Sequence, residues 1–159
     1  MNEQVRLLEA EVKADLQAID QAYRALDTVT DQSPDPETTI AIAYYVHVIY
    51  GLFENLFGRI ATFFGNQITD RQRWHAQLLR RMTLDVSQVR PPVIGQDLYD
   101  SLDEMRRFRH LFRNAYVLNF DPDRLSIVLK HARRAEGLHR RDIGKFIEFL
   151  TALEVSDEN

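Results

Sequence analysis

The chain has 159 residues, enough for one domain with a core of its own. Apolar residues make up 45% and charged residues 28%, a soluble globular composition rather than a disordered or fibrous one. There is no cysteine, so a disulfide framework and a thiolate metal site are both excluded. No apolar run approaches the ~20 residues of a membrane span, and the acidic start Met1-Asn2-Glu3 is no signal peptide. The expected compartment is the cytoplasm. Net charge is −4 but unevenly spread: residues 1–64 carry 4 basic and 10 acidic residues, residues 65–145 carry 16 and 10, and residues 146–159 carry 4 acidic ones alone. A basic middle between acidic ends fits a surface that meets a polyanion such as RNA. It also fits solvated helix faces that favour arginine, and charge alone does not separate the two.

Residues 2–29 predict a long amphipathic helix, because Val5, Leu8, Val12, Leu16, Ile19, Tyr23 and Leu26 recur at spacings of three and four. The stretch 30–37 reads as a turn, with Asp35 as N-cap and Pro36 in the first helical position. Residues 37–64 predict the most apolar helix, with His47, Glu54, Asn55 and Arg59 dispersed along it. Such a helix is expected to be buried against several neighbours, or to supply a subunit interface. Gly65-Asn66 closes it. A shorter helix is expected over 70–84, with Asp70 as N-cap and with Trp74, Leu78, Leu79 and Met82 facing inward. Arg90-Pro91-Pro92 and Gly95 make 85–95 a rigid extended connection. A fourth helix is expected from Asp97 to about Leu118. Asp121-Pro122 starts a fifth, running to about Leu153, with Gly137 and Gly144 as points where it could bend or divide. No strand signal, repeat or low-complexity segment occurs. The expectation is an all-α bundle of about five helices, one domain over 1–154, with 155–159 frayed.

The densest chemistry lies in Arg106-Arg107-Phe108-Arg109-His110-Leu111-Phe112-Arg113-Asn114-Ala115-Tyr116, which holds four arginines, a histidine and a tyrosine. Phe108, Leu111, Phe112 and Ala115 have the spacing of a buried helical face. Arg109 and Tyr116 are seven residues apart, so on a regular helix they stand two turns apart and about 20° in rotation. Asn114 is roughly 140° from Arg109 and joins that pair only through a kink or a partner subunit. Among the other histidines, His47 reads as a core residue, while His75, His131 and His139 sit among arginines, a poor setting for a cation. No H-E-x-x-H spacing and no glycine-rich phosphate loop occurs, so no metal and no cofactor is expected.

The stretch resembles the R-x4-H-x-Y motif of HepT-like ribonuclease toxins in the HEPN superfamily. Arg109 falls on the motif's arginine, Tyr116 on its tyrosine, and Asn114 on the position of its histidine. The resemblance extends to Arg73-Trp74-His75, Arg90-Pro91-Pro92, the fourth helix, Phe120-Asp121-Pro122 and the order of helices. It implies a HEPN-like fold and the toxin of a toxin–antitoxin pair, a metal-independent RNA endonuclease working as a homodimer. Arg109 would bind the scissile phosphate, position 114 would transfer protons, and Arg106, His110 and Arg113 would bind RNA. Tyr116 would accept AMP from a nucleotidyltransferase antitoxin of the MntA type; without the resemblance it reads as a packed aromatic, and Arg109 as a surface arginine.

Asn114 departs from the family pattern. An amide does not titrate and cannot carry the proton of a 2′-hydroxyl, whereas histidine can. Three readings follow: an engineered inactive form, a natural pseudoenzyme, or compensation by a neighbour, for which His110 is the candidate within the motif. The alternative function is a non-catalytic HEPN module that binds RNA or a nucleotidyltransferase.

Overall fold

The computed structural model describes residues 2–32, 35–65, 68–70, 72–113 and 121–156. Five helices follow one another: α1 (Asn2–Thr30), α2 (Pro36–Phe63), α3 (Trp74–Arg81), α4 (Gln96–Arg113) and α5 (Pro122–Ser156). No strand occurs among the described residues; an isolated bridge joins Val86 and Arg90. The expected all-α bundle is what the chain forms.

The apolar stripe of α1 buries as its spacing requires. Val5, Leu8, Val12, Ile19, Tyr23 and Leu26 are each at most 2% exposed, and Leu16 packs at the edge of the core. The α1 stripe faces α2 and α5. Tyr23 donates its hydroxyl hydrogen to the carbonyl of Ala132 on α5 at 2.8 Å, so a buried polar group is satisfied across the bundle. Burial pushes that hydroxyl well above the usual phenol range, and Tyr23 stays protonated.

The α2 helix is the centre of the molecule and touches all four others. Asp35 caps it by accepting the backbone N–H of Thr38 at 2.7 Å, with Pro36 directly after the cap. Gly65, at φ +71°, ends it in the left-handed region that a glycine enters without penalty. In length and composition α2 would suffice to cross a membrane, against the expectation that no segment does. Its apolar sides are instead used inside the bundle: Ala43, Val46, Ile49, Phe53, Leu56, Phe57 and Ile60 are all fully buried. Tyr44 is its one large apolar side chain left exposed, among the described residues.

Three local expectations need correction. The third helix begins at Trp74, four residues late, because the Asp70 carboxylate accepts from the N–H groups of Gln72 and Arg73 and shapes a turn ahead of it. The connection 85–95 is compact rather than extended. It closes on Arg90, 2% exposed, whose guanidinium donates to the carbonyls of Arg81 (2.9 Å), Leu84 (3.2 Å) and Pro91 (3.1 Å). A cation on the carbonyl of Arg81, the last residue of α3, serves an acceptor that has no partner within the helix. Finally, α5 runs unbroken through Gly137 and Gly144 to Ser156, past the expected end near Leu153. Its buried stripe of Leu125, Val128, Ala132, Ala135, His139, Ile143, Phe146 and Leu150 spans both glycines and holds them in the helix.

Candidate functional site

The cleft of interest lies between α2, the first turn of α3 and the end of α4. On α4, Leu98, Leu102 and Met105 are fully buried, at spacings of four and three. Arg109 follows four residues later, so it continues the inward stripe instead of the solvent face. Its side chain is 17% exposed. Phe112 carries the stripe on and stacks on His47 of α2 at 4.7 Å between centroids. Leu111, expected on the buried face, is instead 39% exposed, because it lies about 100° of rotation from Phe112.

A cation in an inward position needs a counter-charge. Glu54 supplies it from α2. Arg109 Nη1 lies 2.7 Å from Glu54 Oε1, and the other carboxylate oxygen lies 2.7 Å from Nδ1 of His75 on α3. Glu54, 8% exposed in its side chain, thus ties three helices together at one point. The Arg109 guanidinium also lies 6.0 Å from the ring centre of Tyr50, one turn earlier on α2. Burial, and then the nearby Glu54 carboxylate, push the Tyr50 hydroxyl well above the usual phenol range, so it is a neutral wall of the site.

Around this triad the cleft opens to about 270 Å³ and is lined by Gln72, Arg73, Arg106, His110 and Arg113 together with Tyr50, Glu54, His75 and Arg109. Arg106 is held by Asp103 at 2.9 Å. Arg73 and Arg113 form no ion pair among the described residues, and both are exposed. Four guanidiniums therefore line a cleft whose one carboxylate is already divided between two partners. Such a lining suits an anion, because guanidinium forks match phosphate oxygens. His47 sits behind it with Nδ1 buried and unpartnered among the described residues. Burial, then Arg109 and Arg113, hold its pKa below the usual imidazole value, so it is neutral at physiological pH.

The structure thus brings together Arg106, Arg109, His110 and Arg113. His110, grouped from the resemblance with Arg106 and Arg113 as an RNA contact, lines the same cleft as Arg109. Asn114 and Tyr116 lie outside the described residues, as do Ala115 and the Phe120 that precedes Asp121-Pro122. Several cleft residues were missed from sequence, among them Tyr50, Arg73, Glu54 and His75. Glu54 was read only as a polar residue in a buried helix, and His75 was set aside for its arginine neighbours. A signal for Glu54 was present: it is the sole acidic residue between Thr38 and Thr69, in the most apolar part of the chain. For His75 no local signal existed, since its partner is 21 residues away. His139 belongs to the core, 1% exposed, with Nδ1 donating to the carbonyls of Ala135 and Glu136. Among the described residues no group of histidine and acidic side chains is arranged to hold a metal.

The fold and cleft define an all-α bundle with an arginine-lined cleft at the end of its fourth helix. The family model described as HepT-like protein matches residues 41–150, which span α2 to α5 and every cleft residue. The chain belongs to the HepT-like family of the HEPN superfamily. Comparison with curated proteins and with solved structures returned no match.

Proposed function

We propose that this chain is the toxin component of a HEPN/MNT toxin–antitoxin pair, an RNA endonuclease that needs no metal ion. The observation that carries the reading is the cleft itself: Arg109 turned inward on the motif helix, with Arg73, Arg106 and Arg113 around it. In this role Arg109 grips the scissile phosphate while the outer arginines hold flanking phosphates. Arg109 is paired with Glu54 when no RNA is bound, so an incoming phosphate replaces one carboxylate oxygen on the guanidinium. Asn114 stands at the family's proton-transfer position and lowers that step unless another group serves it. Two copies of the chain form the working unit in the cytoplasm.

Regulation follows the family pattern. Tyr116 accepts AMP from ATP through an MntA-type nucleotidyltransferase, and the added bulky anion excludes RNA by charge and by volume. A second reading, a HEPN module that binds RNA or its transferase without cutting, is favoured by one residue, Asn114. Incubation with an MntA-type transferase and ATP tests the pairing. Mass spectrometry is expected to find one AMP on Tyr116 and none on a Tyr116→Phe version. An active transferase that leaves Tyr116 unmodified contradicts the toxin–antitoxin reading.

A further inference from the structure

We propose that His75, oriented by Glu54, is the proton carrier of this cleft and serves the step that Asn114 cannot. The inference rests on the ribonuclease reading above and adds a residue to it from outside the R-x4-H-x-Y stretch. Three observations carry it.

The first is location. His75 lines the same cleft as Arg109 and shares a carboxylate with it, so a phosphate on that guanidinium lies beside the imidazole. The second is tautomer. A carboxylate between a guanidinium and an imidazole only accepts hydrogen bonds, so the Nδ1 at 2.7 Å carries the hydrogen. In the neutral ring Nε2 then holds the lone pair, which is the form a general base requires. The third is support. Glu54 is itself fixed by Arg109, and Trp74 meets the His75 ring edge-on at 5.0 Å. The ring is therefore held from two sides while 43% of its side chain stays accessible. His47 lacks that combination, since its Nδ1 is buried without a partner among the described residues.

The step balances without a metal or an oxidant. Nε2 of His75 takes the proton of a ribose 2′-hydroxyl as the 2′-oxygen bonds to phosphorus. The bond from phosphorus to the 5′-oxygen breaks, and that oxygen takes a proton from water. The resulting hydroxide removes the proton from His75. The products are a 2′,3′-cyclic phosphate and a 5′-hydroxyl. Arg109 stays on the phosphate throughout, where charge accumulates.

The test measures cleavage of a fluorescent single-stranded RNA by the chain as it stands and by His75→Gln, His75→Ala, Asn114→His and the double variant His75→Gln with Asn114→His, with folding checked by thermal melting. The chain as it stands is expected to cut. His75→Gln is expected to lose about 10²–10⁴-fold, the usual cost of removing a general base. Added imidazole is expected to restore part of the activity of His75→Ala, a rescue that a purely structural role of the ring does not permit. Equal cutting by His75→Gln, or no imidazole rescue, overturns the role of His75 and leaves the ribonuclease reading in place. Cutting by Asn114→His alone also overturns it and places the chemistry at position 114. No cutting by any version overturns both.

Discussion

In an Asn114→His background, which supplies a titratable group at the motif position, Arg109→Ala lowers RNA cleavage by about 10²–10³-fold. That is the usual cost of removing one fixed donor from a site where charge develops. The size follows from where Arg109 stands. It lies inward at the floor of the cleft, with Tyr50 beside it and Glu54 holding one edge of the guanidinium. No water-exposed lysine or arginine placed nearby reproduces that orientation. Arg107→Ala is the matched control. Arg107 is on the same helix, but its side chain is 62% exposed, pairs with Asp103 and Glu104, and does not line the cleft. A time course of RNA cleavage is expected to separate the two variants by at least tenfold. Equal losses would mean that overall charge, and not a site, governs activity.

The second large effect is on stability. Glu54→Leu removes the carboxylate that neutralises Arg109 and leaves a guanidinium facing an apolar helix. Breaking a buried pair from one side costs about 3–5 kcal/mol. Because the Arg109 side chain keeps 17% of its surface accessible, the lower end, about 3 kcal/mol, is expected. Replacing both partners, Glu54→Leu with Arg109→Leu, brings most of that back, since neither desolvated charge remains. Urea unfolding of the two single variants and the double one closes the cycle. If the losses simply add, Glu54 and Arg109 are not coupled, and the triad does not hold the three helices together.

Most of the scaffold was legible in the sequence. The α1 stripe, the Asp35–Pro36 start of α2 and the Asp121-Pro122 start of α5 follow from local rules, because caps and periodicity involve residues a few positions apart. What escaped was set by distant contacts. Asp70 has the look of a helix cap, but its carboxylate is used in the turn before Trp74. The glycines of α5 suggest a break, yet the packing of its buried stripe on α1, α2 and α4 keeps it continuous through them. Arg90 looks like part of a stiff linker and is a buried clasp on the end of α3.

The site was half legible for the same reason. The arginines of α4 stand close together in sequence, but Arg109 reads as a surface residue until the fold shows it in line with the buried Leu98, Leu102 and Met105. Glu54 and His75 come from two other helices, 55 and 34 residues away from Arg109 in the chain. Only the folded bundle brings them to it. A lone carboxylate in the most apolar helix is the trace that such a partnership leaves in a sequence.

The central claim is that RNA phosphate enters this cleft and lands on Arg109. Its most direct test is the affinity for single-stranded RNA, measured by fluorescence anisotropy over a range of salt concentrations, for the chain and for Arg109→Ala. Weaker binding by the variant is expected, with a plot of log affinity against log salt shallower by about 0.7, the loss of one phosphate contact on a single strand. The same affinity and the same slope for both proteins would contradict it.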